Sequence, residues 1–132
     1  MTASIDDLAR EVVDCAYKLH VDVGPGLLET AYETLLAHLI ERRGLRVERQ
    51  KAVAVEYEGL RVEQAFRVDL LVENALVVEL KSVERLLPVH GKQVLTYLRF
   101  MRLPVGLLIN FGAATLREGL KRIANGHQEK RD

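Results

Sequence analysis

The sequence has no tryptophan, a single cysteine and only 5% aromatic residues among its 132 residues. The lone Cys15 excludes an internal disulfide and is typical of a protein from a reducing compartment. No segment has the roughly 18 to 20 consecutive apolar residues that a membrane-spanning helix needs. The first residues also lack the basic and apolar segments of a secretion signal. These absences predict a cytoplasmic protein that does not enter the membrane.

An excess of charge of either sign is also absent, because 19 basic residues balance 19 acidic ones. The chain therefore has no overall basic field of the kind that marks many nucleic-acid-binding proteins, and contact with nucleic acid requires a local patch. The hydrophobic content of 48% is enough for the core of one globular domain at this length. We expect a single domain over residues 1–132, with its core at about 5–124 and a polar tail at 126–132.

The first 43 residues show the spacing of two helices, which predicts an N-terminal helical hairpin. Ser4 is the expected N-cap of the first helix, which extends to about His20. Pro25 is expected to open the second helix, which runs from Leu27 to Arg43. The predicted inward-facing residues of this second helix are Leu28, Ala31, Leu35 and Leu39, with Tyr32 and Leu36 beside them.

The rest of the chain alternates between strand and helix patterns. Apolar alternation or continuous apolar character predicts four strands, which are Val47–Tyr57, Leu60–Val72, Leu76–Lys81 and Val105–Phe111. A third helix begins at Pro88, and a last one runs from Leu116 to about Asn125. This order predicts an α/β sandwich with a mixed four-stranded sheet flanked by helices.

The second and third predicted strands carry charges where buried strands normally carry Val or Ile. Asp69, Glu79 and Lys81 occupy these positions, and an uncompensated charge inside an apolar sheet is costly. A turn of three residues, with Asn74 in the left-handed conformation, would pair Asp69 with Glu79 on one face. The other face would then be wholly apolar, with Val68, Leu70, Val72, Leu76, Val78 and Leu80.

Opposed carboxylates repel each other, so this register predicts a cation between Asp69 and Glu79. Two carboxylates and the Leu80 carbonyl suit a hard divalent ion. Lys81, on the same face, would position a water molecule and stabilise charge on a phosphoryl group. The alternative is a ladder of ion pairs in which Arg67 and Lys81 neutralise the two carboxylates. Residue chemistry alone leaves both interpretations open.

Two helices offer further candidates. Glu29, Tyr32 and Glu33 share one side of the second helix, so Glu29 would add a third carboxylate if that side faces the hairpin. His90, Gln93 and Tyr97 recur along one side of the third helix. Side chains of these types contact phosphate, orient carboxylates or stack on bases. Each is also a common structural hydrogen-bonding residue.

These residues, in this order, resemble a known motif series. Asp69, Glu79-Leu80-Lys81 and Gln93 resemble the motifs of the PD-(D/E)XK nuclease superfamily, and Glu29 matches its additional helical carboxylate. More narrowly, the chain resembles the small bacterial GxxExxY proteins from about residue 5 to 124. The segments that carry this likeness are Gly26–Tyr32, Val78–Glu84, Leu87–His90, Gln93–Leu98 and Gly106–Phe111.

The resemblance implies a restriction-endonuclease-like core that hydrolyses nucleic-acid phosphodiesters with Mg²⁺, for which Mn²⁺ can substitute. Asp69, Glu79, the Leu80 carbonyl and Glu29 would be the metal ligands, with Lys81 and Gln93 completing the catalytic set. The implied partners are nucleic acid, DNA in preference to RNA, and a second copy of the chain. One departure is Val68, which stands where the superfamily often has proline. The alternatives are a catalytically silent module of the same fold and a hydrolase of other phosphoesters.

Overall fold

The computed structural model describes residues 4–126, so the predicted polar tail lies outside the described residues except for Gly126. The helices are α1 (Ile5–Val23), α2 (Glu29–Glu41), α3 (Pro88–Met101) and α4 (Leu116–Gly119). The strands are β1 (Val47–Tyr57), β2 (Leu60–Val72), β3 (Leu76–Lys81), β4 (Val105–Asn110) and β5 (Leu120–Ala124). The predicted element order is therefore confirmed as far as α4.

The strands form one mixed sheet of five, in the order β1-β2-β3-β4-β5. Only β3 and β4 are parallel, and the other neighbours are antiparallel. The prediction of four strands is wrong, because the segment expected to continue the last helix to Asn125 is β5. Helix α4 ends at Gly119, and the next residue, Leu120, pairs with Ile109 of β4. This pairing satisfies backbone groups of β4 that would otherwise form an unpaired edge beside the core.

Helices cover both faces of the sheet and create two apolar cores. Helices α1 and α2 cover one face, where the residues that recur at helical spacing in α1 are all buried, namely Leu8, Val12, Cys15, Ala16 and Leu19. Its N-cap is also confirmed, since the Ser4 hydroxyl accepts a hydrogen bond of 3.1 Å from the Asp7 amide. Helix α3 covers the other face with Val94, Tyr97 and Leu98. The site residues of the central strands consequently lie between packed layers.

Helix α2 is rotated relative to the sequence prediction. It starts at Glu29, and Pro25 lies in the preceding loop between two glycines of positive φ. Leu28 is 77% exposed and Leu35 is also exposed, so the predicted inward stripe is wrong. The residues that face the core are Tyr32, Glu33, Leu36, Ala37 and Ile40. Tyr32 is fully buried in this orientation. Burial of its large ring removes more apolar surface from water than burial of a leucine does, which favours the observed rotation.

The β2–β3 hairpin confirms the three-residue turn but only part of the predicted register. Val72 pairs with Leu76 and the ladder continues to Leu70 and Val78, where it stops. Asn74 has the predicted left-handed φ of 54°, and Glu73 is left-handed too, with a φ of 52°. Beyond this point the strands separate, so the predicted backbone pairing of Asp69 with Glu79 is wrong.

The predicted apolar face of this hairpin is also interrupted. Leu70, Val72, Leu76, Val78 and Leu80 do face α1 and α2. Val68, in contrast, packs beneath α3 on the opposite side. The regular alternation of β2 is therefore broken between Val68 and Leu70, which places Asp69 at the irregularity. Within residues 4–126, no helix is long and apolar enough to span a membrane.

Candidate functional site

Asp69 and Glu79 come together where β2 and β3 separate. The Asp69 amide donates a hydrogen bond of 2.8 Å to Glu79 Oε1, and the Leu80 amide donates one of 2.8 Å to Asp69 Oδ2. Two side-chain acceptors thus replace the ladder bonds that the strands would otherwise make. The predicted proximity of the two carboxylates is correct, although side chains rather than a paired ladder produce it.

Glu79 is the more deeply placed of the two carboxyl groups, with only 4% of its surface exposed. Burial, followed by the nearby Asp69 charge, raises the pKa of Glu79 to about 8. Hydrogen bonding from the Asp69 amide and the charge of Lys81 oppose this rise. Without a cation, Glu79 therefore holds a proton at neutral pH. A bound cation would favour its ionised form.

Glu29 and Lys81 share the electrostatic environment of this pair. Burial raises the pKa of the half-buried Glu29, and the charge of Asp69 raises it further. The Lys81 ammonium lowers the pKa of Glu29 and also that of Glu79. The structure therefore brings the four predicted charged residues into one region. Glu29 comes from α2, whereas Asp69, Glu79 and Lys81 come from the β2–β3 hairpin much later in the chain.

The segment after Lys81 is held by a buried amide that sequence reasoning did not identify as part of the site. Asn110, at the end of β4, accepts hydrogen bonds of 3.0 Å from the amides of Val83 and Gly112. Its own amide donates a bond of 2.9 Å to the Val83 carbonyl. The Lys81 carbonyl also accepts a bond of 2.9 Å from Phe111. These contacts define the path of the chain directly beyond Lys81.

Two further residues at the site were missed or underrated. Gln50 of β1 donates hydrogen bonds from Nε2 to Asp69 Oδ1, at 3.1 Å, and to Glu33 Oε1, at 2.5 Å. Glu33 is buried and pairs with Arg49 at 3.0 Å. Sequence analysis placed Glu33 beside Glu29 but assigned it no role. No sequence signal indicated Gln50, because its position opposite Asp69 depends on the β1–β2 register.

The three predicted residues of α3 differ in their contacts. Tyr97 stacks on Phe66 with ring centroids 4.1 Å apart. Burial raises the pKa of Tyr97, and the charges of Glu79 and Asp69 raise it further, so its ring lies near both. Gln93 is exposed and forms no side-chain hydrogen bond within the described residues. His90 accepts a bond of 3.0 Å from the Leu87 amide and stabilises the start of α3.

The two other accessory candidates lie apart from the carboxylates. Tyr32 is fully buried and stacks on Phe111 at 4.5 Å. Its hydroxyl donates a hydrogen bond of 2.5 Å to the Gly24 carbonyl and accepts one of 3.2 Å from the Leu27 amide. Tyr32 therefore stabilises the loop before α2. Arg67 is exposed, and its closest side-chain partner within residues 4–126 is Gln64, at 3.5 Å.

The alternative interpretation, a network of ion pairs around the carboxylates, is not formed in the described residues. Within residues 4–126, no Lys or Arg nitrogen lies within 4.0 Å of a carboxylate oxygen of Asp69 or Glu79. The Arg67–Asp69 and Lys81–Glu79 pairs of that alternative are therefore absent from the described part of the chain. The two carboxyl groups interact with backbone amides and with Gln50 instead, so the charge of Asp69 is not paired with a cationic side chain in the described part of the chain.

The donor set can be tested for its fit to a divalent ion. In the part of the chain that the structure describes, no group of three or more His, Cys, Asp or Glu side chains converges as a metal cluster. Mg²⁺, however, is commonly held by one or two carboxylates and keeps several water ligands. The Leu80 amide points at Asp69, and strand alternation directs the Leu80 carbonyl into the same gap. Asp69, Glu79 and this carbonyl thus fit a hard cation.

Comparison with family models identifies the relationship. A model of the PD-(D/E)XK nuclease superfamily matches residues 6–123. The chain belongs to the PD-(D/E)XK nuclease superfamily. This membership supports phosphodiester hydrolysis and a nucleic-acid substrate, and nucleases of the superfamily typically use divalent metal ions. Comparison with curated proteins and with solved structures yields no match.

The observed α/β sandwich with its mixed sheet is consistent with the PD-(D/E)XK fold. The residue before Asp69, where proteins of the superfamily often have proline, is Val68. Its side chain is fully buried beneath α3. Valine therefore contributes an apolar contact to the core of this superfamily member directly beside the acidic residue.

Proposed function

We propose that the protein is a metal-dependent nuclease that hydrolyses phosphodiester bonds of nucleic acid, DNA in preference to RNA. The observation that carries this proposal is the meeting of Asp69 and Glu79 at the point where β2 and β3 separate. Membership of the nuclease superfamily supports it independently. Glu79 is buried and Asp69 half-buried, and acidic groups placed in this way without an ion pair in the described residues are costly unless they bind something.

In this proposal Asp69, Glu79 and the Leu80 carbonyl hold Mg²⁺, with Mn²⁺ as a substitute, and Glu29 is a further or water-mediated ligand. When bound, the ion supplies a lower water pKa and charge neutralisation at the scissile phosphate. Lys81 holds the attacking water and stabilises negative charge on the phosphoryl oxygens. Tyr97 orients the carboxylates from α3, and the exposed Gln93 donates hydrogen bonds to phosphate.

The test combines Mn²⁺ calorimetry with a nuclease panel of single-stranded, double-stranded and branched DNA and RNA. The variants D69N and E79Q each keep one side-chain oxygen that can accept the backbone amide hydrogen bond but cannot form the ionised carboxylate that a cation requires. We expect each to abolish Mn²⁺ binding and cleavage. K81M should bind Mn²⁺ normally and lose cleavage by at least about 100-fold, as removal of one charge-stabilising donor does.

The matched control is D22N, which changes an exposed aspartate of α1 whose ion-pair partner within residues 4–126 is Lys18. Exposed pairs of this kind contribute little to stability, so D22N should bind Mn²⁺ and cleave as the wild type does. Undiminished binding in both D69N and E79Q would eliminate these residues as ligands.

A specific observation favours a second candidate, a catalytically silent binding or assembly module. Residues 4–126 contain no cluster of three acidic ligands, and the chain has no net positive charge. A silent module would retain nucleic-acid or protein binding without turnover. Normal Mn²⁺ binding together with complete inactivity on the whole panel would favour this candidate over the nuclease.

The finer assignments extend the same proposal. Because the segment from Gly26 to Tyr32 and the blocks after it match the GxxExxY pattern, we place the chain in that group of small bacterial proteins. We further infer a single domain, a homodimer that engages duplex substrate, a cytoplasmic location, and a role in DNA repair or defence. The homodimer follows from the small size of the chain, since one copy offers limited surface for a duplex.

A further inference from the structure

Gln50 occupies an unusual position in β1. The residues on either side of it, Arg49 and Lys51, pair with Leu70 and Val68 of β2, so Gln50 lies opposite Asp69. Its φ is 50°, which is the left-handed region. A residue with a longer side chain than Asn adopts this conformation infrequently, and such strained residues concentrate at functional sites. The strand itself continues, but its pairing with β2 passes from Arg49 to Lys51 without a pair at Gln50.

The Gln50 side chain connects two carboxylates. Its amide nitrogen lies 3.1 Å from Asp69 Oδ1 and 2.5 Å from Glu33 Oε1. A glutamine amide has two hydrogens, so one group can donate to both oxygens at once. The other oxygen of Asp69 accepts from the Leu80 amide at 2.8 Å. Both oxygens of Asp69 therefore have a donor that defines their orientation.

Glu33 holds Gln50 from the side opposite to Asp69. The Glu33 side chain is only 7% exposed, and its Oε2 accepts hydrogen bonds from Arg49. Arg49 is itself held by a bond of 2.8 Å to the Thr34 hydroxyl. With Oε2 bound to Arg49, Glu33 can offer Oε1 to Gln50 without remaining an unpaired buried charge. The chain of contacts from α2 to Asp69 is thus continuous.

We propose that Gln50, supported by Glu33, is a positioning residue that orients the Asp69 carboxylate for metal binding. This inference rests on the proposed metal site. Each carboxylate oxygen has two acceptor positions, so Asp69 can keep its bond to Gln50 while the second position of Oδ1 faces the ion. Groups that orient a metal ligand typically contribute 10- to 100-fold to metal affinity.

A structural role alone does not account for both contacts. The buried charge of Glu33 is already neutralised by Arg49, and a single bond from Gln50 would complete its hydrogen bonding. The second bond, to Asp69, adds nothing to Glu33 but restricts the rotation of the carboxylate that the site uses. The geometry therefore favours a role directed at Asp69.

The test is the variant Q50M, which keeps the side-chain length and removes the donor. We expect the Mn²⁺ affinity, measured by calorimetry, to fall about 10- to 100-fold. Saturation of the site would then need a correspondingly higher Mn²⁺ concentration. At saturating Mn²⁺, cleavage should recover toward the wild-type rate, because the reacting residues are intact. The matched control is Q64M on β2, which changes an exposed glutamine that accepts a hydrogen bond from Arg67. This variant should leave Mn²⁺ affinity unchanged.

The variant E33Q provides the second arm. If Glu33 acts through Gln50, the double variant E33Q/Q50M should bind Mn²⁺ no more weakly than Q50M alone. Affinity losses that simply add would contradict a shared path. Should Q50M fail to fold, the side-chain amide signals of Gln50 in the wild-type protein decide by NMR. They should shift when Mg²⁺ is added, and unchanged signals at saturating Mg²⁺ would overturn the proposal.

Two different results would separate the metal site from the positioning role of Gln50. Wild-type protein that binds no Mn²⁺ would remove the metal site and with it the role of Gln50. Normal Mn²⁺ binding by the wild type, lost in D69N but unchanged in Q50M, would remove only the role of Gln50.

Discussion

Glu79 combines deep burial with a negative neighbour, and this combination determines its protonation. The folded environment raises its pKa to about 8, mainly through burial and then through Asp69. A carboxyl group that is protonated at neutral pH is a poor ligand until a cation displaces the proton. Metal binding at this site should therefore strengthen as pH rises toward 8, with release of a proton.

The metal-free protein should lose stability as pH rises. The ordinary pKa of 4.5 describes Glu79 in the unfolded chain, so between pH 4.5 and 8 the folded state holds a proton that the unfolded state releases. The Glu79 contribution is fully present below pH 4.5 and is lost as pH rises through 8. Across this range we expect its loss to lower the free energy of unfolding by on the order of a few kcal/mol.

Urea denaturation in the presence of a chelator measures this effect as the difference between wild type and E79Q. E79Q cannot ionise and should lack this component of the pH dependence, whereas E41Q, at the exposed end of α2, should keep it. Equal pH dependence in wild type and E79Q would show that Glu79 is not protonated in the fold.

At this scale the sequence identified residue types more reliably than contacts. Asp69, Glu79 and Lys81 were recognisable because charges are unexpected in apolar strands. Gln50 was not recognisable, because a polar residue in an exposed strand is ordinary. A left-handed backbone conformation is indicated in a sequence mainly by Gly or Asn, and this position has neither. Tyr32 was misassigned for the opposite reason: its neighbour Glu29 is at the site, but its own ring is in the core.

At the scale of elements, the end of β3 depends on a close approach between two loops. Gly112 follows β4, and a Cβ atom there would collide with the Val83 backbone, two residues beyond Lys81. Asn110 bonds to the same backbone through both its amide and its carbonyl groups. Parallel neighbours β3 and β4 are thus joined at their C-terminal ends, the edge that carries Lys81.

The variant G112A should therefore destabilise the protein, because the obstructing atoms belong to the backbone and cannot move aside. We expect a loss of about 3 kcal/mol in the free energy of unfolding, measured by urea denaturation. The matched control is G91A in α3, where the new methyl group meets only Ile123 at an ordinary 3.5 Å. G91A should be neutral or stabilising, since Ala favours a helix over Gly. A G112A protein as stable as G91A would contradict this packing.

The last helix illustrates where pattern reading fails for elements. Leu116, Leu120 and Ile123 have helical spacing, yet β5 begins at Leu120. The spacing of two or three apolar residues cannot exclude a strand, and the free edge of β4 was not visible in the sequence. The pattern of α1 was predicted correctly because it continues over 19 residues, and the continuous apolar β4 because six residues are too few for a typical helix.

At the scale of the whole molecule, balanced charge conceals a local basic surface. A groove of about 290 Å³ lies between the β1–β2 ribbon and the C-terminal half of α3. Its basic residues are Arg61, Arg99 and Arg102, and Arg61 pairs with Glu63 at 2.9 Å. Glu56 also lines the groove. For the proposed nuclease, we expect the three arginines to contact the phosphates of a bound duplex.

The double variant R99Q/R102Q should weaken duplex binding and reduce its salt dependence. Each lost phosphate contact lowers the slope of log affinity against log salt by about 0.9 for B-DNA. The control R10Q/K18Q removes two charges from α1, on the opposite layer, and should leave the slope unchanged. Fluorescence anisotropy at several salt concentrations, with Ca²⁺ present, measures the duplex affinity. For the proposed homodimer, sedimentation of the complex should show two chains per duplex. Equal slopes in the two double variants would exclude the groove, and one chain per duplex would contradict the homodimer.

The sequence by itself determined the α/β class, most strand and helix positions, and the charged residues of the site, because periodicity and misplaced charge are local properties. The tertiary structure decided the fifth strand, the rotation of α2 and the place of Val68, since these depend on which surfaces remain uncovered after the other elements pack. It also decided that Gln50 and Asn110 hold the residues of the site. Contacts between distant segments follow from strand register, and no local pattern records that register.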